Sequence, residues 1–298
     1  MNPHLFCRFA MLLFSVTGAL AMDKGPAQPY IQFREDMRLE LGFANWPGKK
    51  GALKSGLPFK FSNYASLDGC TVSDDRIDLN WMEFGIARTV RLRKNEGVLR
   101  ITIAVAHSST DNAQEMLLYY GAPLSNKGPV PWQLGDRIGL AVGDVSIVCS
   151  GDTVDDLSCI AFVRNNVVCL LRDEDPDEPI GVNLKELAEQ LDTKIRALPD
   201  LTVEQFDAGR PVITAFAPAS SSIKAPGGST PLNITASDPT GQPMRKVFLA
   251  DGLQIRAEED TPIAETVGRD GTFPVSLVLV NECLQFRVSQ TEITVTVP

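Results

Sequence analysis

The sequence predicts two folded parts, an α+β domain built on an antiparallel sheet and then an all-β sandwich. Three observations predict this. Up to residue 200, paired alternating segments are each followed by a stretch of helical periodicity. From Pro211 onward the helical periodicity disappears, and short alternating runs recur between turn residues. The length, 298 residues, suits about two domains. The division read from these signals is a leader over 1–21, an α+β domain over 22–200, a linker over 201–210 and the sandwich over 211–298.

Residues 1–21 read as a secretory signal peptide. Arg8 is the only charged side chain before Asp23, an apolar run follows from Phe9 to Val16, and Ala19-Leu20-Ala21 supplies a small-x-small cleavage site. The expected location is therefore secreted or periplasmic, after cleavage near Ala21. The run is too short to span a membrane, and no later stretch reaches about 18 apolar residues, so no membrane span is expected. Export would place Cys70, Cys149, Cys159, Cys169 and Cys283 where disulfides persist.

Residues 47–60, rich in glycine and lysine, read as a mobile basic loop. Val90 to Arg93, a turn at Asn95-Glu96, and Val98 to Val105 form a first hairpin, with Leu99, Ile101, Ile103 and Val105 on one face. A helix follows over Asn112 to Tyr120 and ends at Gly121. After an extra strand over Ile138 to Cys149, the unit recurs. Ile160 to Arg164 and Val167 to Leu171 pair across Asn165-Asn166. Asn183 then caps a helix with Glu186 three residues on. Leu184, Leu187, Ala188, Leu191, Ile195 and Leu198 stripe that helix, and Pro199 stops it. This hairpin–helix repeat suggests an antiparallel sheet with both helices on one face.

In the last third, Leu232, Ile234 and Ala236 alternate with polar residues. So do Phe273 to Leu279, Leu284 to Val288, and Ile293 to Val297. Gly227-Gly228, Asp251-Gly252 and Asp270-Gly271 mark turns. Pro211-Val212-Ile213-Thr214-Ala215-Phe216-Ala217-Pro218, then Gly227 to Thr230 and Leu232 to Thr235, resemble the opening of bacterial immunoglobulin-like domains of the TIG type. Gly271-Thr272-Phe273-Pro274-Val275 and Thr294 to Val297 extend the resemblance. It implies a spacer or binding module with no catalytic residues to carry over. Phe162 to Val168 with Leu187-Ala188 and Leu191-Asp192 resemble small bacterial extracellular sensor-type α+β domains.

The chemistry is bounded by what is missing. A net charge of −9 argues against nucleic acid, which needs a basic face. There is no glycine-rich phosphate loop, no Cys-x-x-Cys and no nucleophile elbow, and no cofactor is implied. Once the leader is removed, a Ser–His–Asp triad would have to use His107, beside Ser108 and Asp111. Asp173, Asp175 and Asp177 alternate like the start of a calcium loop. Glu178 stands where glycine is needed, however, so a solvated acidic loop is the expectation. Trp46 and Trp132 each adjoin a proline and read as loop aromatics that, with His107, would offer a ligand surface. Cys149 ends one strand and Cys159 begins the next, so the pair is placed to bridge. Cys70 with Cys169 follows only by elimination. Cys283, alternating with Leu284, Phe286 and Val288, is expected on the outward face and unbridged.

The reading is a secreted, non-catalytic binding or sensing protein with an immunoglobulin-like presentation module and a protein or carbohydrate ligand. The alternatives are a secreted hydrolase using His107, and a structural subunit of a surface assembly that pairs through an exposed strand edge.

Overall fold

The computed structural model describes residues 52–297, apart from 81, 108–109, 122–123, 126–127, 130–131, 150–156, 175–177 and 259–260, together with Asp36 and Leu39. The leader at 1–21, Trp46, Ser108, Asp175 and Asp177 lie outside the described residues. The chain divides into two compact units, 1–206 and 207–298.

The first unit carries β1 (Thr71–Asp78), β2 (Gly85–Lys94), β3 (Gly97–Ala106), α1 (Thr110–Gly121), β4 (Leu124–Ser125), β5 (Gly128–Pro129) and β6 (Trp132–Leu134). It continues with β7 (Val145–Cys149), β8 (Cys159–Arg164), β9 (Val167–Asp173) and α2 (Leu184–Ala197). A short helix α3 (Val203–Ala208) occupies the segment read as a linker. Seven strands form one sheet in the order β1-β2-β3-β9-β8-β7-β6. Every neighbouring pair in it is antiparallel. The two hairpins read from the sequence, β2–β3 and β8–β9, meet through β3 and β9 at its centre.

The helices do not share a face. Successive side chains of a strand point to opposite sides. On β8, Cys159, Ala161 and Val163 join a buried cluster with Ala113, Met116, Leu117 and Leu118 of α1. Arg164, one residue on, reaches Asp192 of α2 instead (2.8 and 2.9 Å). The sheet is therefore covered on both sides. The strands say why: Cys159–Val163 and Val167–Leu171 are buried at every residue, a two-sided apolar run with no alternation. The segment Ile138–Cys149 is also shorter as a strand than expected. Gly135–Ile138 forms a 3₁₀ turn, and pairing begins at Val145.

Asn183 caps α2 as its spacing predicts, its Oδ1 accepting the Glu186 N–H (3.1 Å). The far end of α2 is closed by Lys54, which is buried and not part of a mobile loop. Its Nζ donates to the Leu198 carbonyl and pairs with Asp200 (3.0 Å). Helix-terminal carbonyls and a carboxylate compensate the buried ammonium.

The second unit holds β10 (Val212–Pro218), β11 (Ser222–Lys224), β12 (Ser229–Ser237), β13 (Met244–Ala250), β14 (Leu253–Glu258), β15 (Thr261–Thr266), β16 (Gly271–Asn281) and β17 (Phe286–Thr296). They form two sheets, β10-β12-β15-β14 and β11-β17-β16-β13. Leu232 and Ala264 of one sheet and Val275, Ile293 and Val295 of the other share a buried core, so the sheets are a sandwich. In chain order this is A-B-E-D against A′-G-F-C, with β11 parallel to β17, the strand order of an immunoglobulin-like fold. Gly252 adopts φ +80° in the β13–β14 turn. A Cβ there would lie 2.3 Å from the Phe273 ring, so both backbone and space require glycine.

The two last alternating runs are one strand, β17. Leu284 sits before it at φ +59°, in the turn that also holds Cys283. Cys283 is accordingly buried and not outward-facing, and its Sγ accepts from Gln242 Nε2 (3.1 Å).

The start of this unit is tied to its last hairpin. Asn281 Nδ2 donates to the Gly209 carbonyl (3.2 Å), Arg287 Nε donates to the Pro211 carbonyl (3.4 Å), and Arg210 lies over the Phe286 ring. A fragment spanning 207–298 is expected to unfold in one cooperative transition by circular dichroism and to resist limited proteolysis. A fragment starting at residue 212 loses these ties and should melt lower. A disordered 207–298 fragment would contradict the independence of this unit.

Candidate functional site

In an antiparallel sheet, directly opposed residues project to the same face and line up across the strands. One such line crosses all seven strands on the face that carries α1. It reads Asp74, Arg91, Arg100, Arg172, Cys159, Cys149 and Trp132. Two residues along the strands, the parallel line is Thr89, Thr102, Leu170, Ala161, Ile147 and Leu134. There the Thr89 and Thr102 hydroxyls bond each other (3.0 Å), and Leu170, Ala161 and Ile147 lie in the α1 core. The same face therefore passes from an apolar floor under α1 to a line of three guanidiniums, two thiols and one indole.

The cationic half is unevenly compensated. Glu174 accepts from Arg91 through both oxygens (2.9 and 3.3 Å), and Asp74 accepts from Arg91 Nη1 (3.1 Å). These bonds, first that to Glu174, hold the Arg91 guanidinium more firmly charged than usual. Arg100 is served less well. Its Nη1 is 3.8 Å from Glu174, and its Nε is buried with no hydrogen-bond partner. Burial pulls the Arg100 pKa below its ordinary value. Glu174 opposes that pull, while the neighbouring Arg172 and Arg91 add to it. Arg100 is thus a partly desolvated cation with an unused donor.

Cys149 and Cys159 are directly opposed, as the connecting segment predicts, and both are buried against the α1 core. No disulfide joins any of the five described cysteines. Cys70 and Cys169 are too far apart to bridge. Cys169 opposes Ile103, Ile103 opposes Arg88 and Arg88 opposes Ile77. Three strand spacings of about 4.8 Å already separate their strands, whereas a disulfide needs Cα atoms within about 7 Å. Cys70 also precedes Thr71 at the far end of β1. Cys169 faces the α2 side, where burial pushes its thiol pKa well up, aided by the charge of Asp192.

Trp132 opens β6, a strand and not a loop, and packs half-buried against the α1 cluster. His107 is buried, its ring 6.1 Å from that of Phe206, and its backbone N–H donates to the Phe84 carbonyl (2.8 Å). It lies off the line that holds Trp132, so the structure does not join these two aromatics. Asp173 ends β9, and its Oδ2 accepts the Ile180 N–H (3.3 Å). Among the described residues no group of three potential metal ligands occurs. Calcium at millimolar concentration is expected to leave the melting temperature unchanged, and chelator likewise. A rise with calcium, reversed by chelator, would show a site in the acidic loop.

Sequence reasoning missed Arg91, Arg100, Arg172 and Glu174. One signal was available: the turn at Asn95-Glu96 sets Arg91 opposite Arg100. The pairing of β3 with β9, which adds Arg172, joins segments some seventy residues apart in sequence and leaves no local mark.

No family model matches the chain, and no curated protein does. Among solved structures, a chain titled "Tandem Ig repeats of Dlar" matches at 13% identity, covering 52% of this chain and 88% of that chain, with a TM-score of 0.24. At that score the likeness carries no argument. No helix among the described residues is long and apolar enough to cross a membrane.

Proposed function

We propose that this is a secreted or periplasmic, non-catalytic binding or sensing protein. Its first unit is an α+β domain that takes an anionic group of a protein or carbohydrate ligand on the Arg91–Arg100–Arg172 line. Its second unit is a bacterial TIG-type module that presents the first or contacts a partner. The leader-like pattern at 1–21 supports the location, and the strand motifs from Pro211 support the TIG assignment. The observation that carries the binding reading is the buried, unpartnered Nε of Arg100 between two further guanidiniums. A carboxylate or sulfate oxygen on the exposed part of the Arg100 guanidinium would compensate this under-served cation and relieve the repulsion among the three. Trp132, at the other end of the line and about 14 Å from Arg172 by strand spacing, offers a flat face to an extended ligand. Thermal shift against a carboxylated oligosaccharide, a sulfated oligosaccharide and an acidic peptide tests the reading. At least one should raise the melting temperature of the wild type. A panel that shifts nothing overturns it.

A further inference from the structure

The two thiols at the centre of the line are left unused by the ligand reading, and they raise a separate question of chemistry. Cys149 and Cys159 are direct cross-strand partners, which places their Cα atoms about 4.5–5.5 Å apart, inside the range a disulfide spans. Both side chains project to one face and are 2% and 3% exposed. On its other side Cys159 is opposed by Arg172, which is in turn opposed by Arg100.

We propose that Cys159 and Cys149 are a redox-active pair that reduces one equivalent of a small hydroperoxide, without turnover, and closes to a disulfide. Burial limits access to an oxidant of about the size of water, which favours hydrogen peroxide over a protein disulfide. The Cys159 sulfur attacks one peroxide oxygen, and the O–O bond breaks. The departing hydroxide takes up a proton to become water, and Cys159 is left as a sulfenic acid. The Cys149 sulfur then attacks the Cys159 sulfur. The S–O bond breaks, the S–S bond forms, and a second water leaves with the Cys149 proton. Two thiols have lost two electrons and the peroxide has gained them.

The roles of the two thiols follow from their surroundings. A hydrogen bond from the Cys149 thiol holds the Cys159 pKa down, with Arg172 and Arg100 adding to it, against the opposing effect of burial. Cys149 is opposed on its other side by Trp132 and not by a cation, and the same bond and burial push its pKa up. Cys169, on the opposite face, lacks this setting and has its pKa raised. It is the internal control.

The sequence makes the test direct. Trypsin releases 138–164, which holds Cys149 and Cys159 and no other cysteine, and 165–172, which holds Cys169 alone. The full-length reduced protein is treated with hydrogen peroxide, quenched, denatured, alkylated and digested. The 138–164 peptide should lose both alkylation sites and the mass of two hydrogens, at least about tenfold faster than Cys169 is modified. Cys149→Ser should leave a Cys159 sulfenic acid that dimedone traps, and Arg172→Gln should slow the first step several-fold. The wild-type comparison stands even where a variant fails to fold. A 138–164 peptide that stays fully alkylated under excess peroxide, or that oxidises no faster than Cys169, would overturn the proposal.

Discussion

Replacing Asp192 with alanine is expected to remove about 3–5 kcal/mol of stability, the range for breaking a buried ion pair from one side. The Asp192 side chain is 3% exposed and that of Arg164 is 17% exposed. Arg164 forks onto both Asp192 oxygens (2.8 and 2.9 Å), and Arg196 Nη2 adds a third bond (2.7 Å). Without the carboxylate, Arg164 keeps Asp144 (2.7 Å), and the floor beneath α2 holds a guanidinium short of its main partner. Burial alone would push the Asp192 pKa up. The bonds and charge of Arg164, with Arg196 and the Gly143 N–H, outweigh it and hold the carboxyl below the usual carboxylate range. A depressed folded-state pKa gives stability that is present above the unfolded value of about 4 and lost as pH falls through the folded value. Urea unfolding should therefore show a wide gap between wild type and Asp192→Ala at pH 7, narrowing in acid. A loss under about 1 kcal/mol at pH 7 would mean that the Arg164 pair is not a buried ionic contact.

The second large effect is expected at Asn166→Ala, about 2–4 kcal/mol, from buried groups left unpaired. Asn166 is fully buried. Its Nδ2 donates to the Lys54 and Ala106 carbonyls (3.0 and 3.1 Å), and its Oδ1 accepts the Lys54 N–H (2.6 Å). One amide thus ties the β8–β9 turn to the end of β3 and to the chain entering the sheet. Asn166→Asp keeps the acceptor but sets a carboxylate against two carbonyls, so it should be nearly as harmful. Equilibrium unfolding decides this, and a variant within about 0.5 kcal/mol of wild type would show that the amide is dispensable.

Asn165-Asn166 illustrates what the sequence discloses and what it hides. Asparagine tolerates the φ of +55° found at Asn165, so the hairpin turn is legible, and with it the register that opposes Phe162 to Cys169. The reach of Asn166 to Lys54, across 112 residues, has no local signature. The same holds for the two helix faces. The unbroken apolar runs Ile160–Val163 and Val167–Leu171 do announce two-sided burial, but a search for alternation passes over them. Lys54 reads as a solvated basic residue because its partners, the end of α2 and Asp200, lie far along the chain. In the candidate site, Trp132, Cys149 and Cys159 were legible one by one. Their alignment with Arg172 and Arg100 arises only when β9 pairs with both β8 and β3.

Binding of an anionic group by the arginine line is tested most directly by titration calorimetry of the oligosaccharide or peptide that stabilises the wild type, repeated with Arg100→Gln. The substitution shortens the side chain and removes the charge and the guanidinium fork. Losing one charge-assisted contact should weaken binding about tenfold or more, with the melting temperature of the unliganded protein little changed. Binding should also weaken as salt rises. Equal affinity for the wild type and Arg100→Gln would contradict the account.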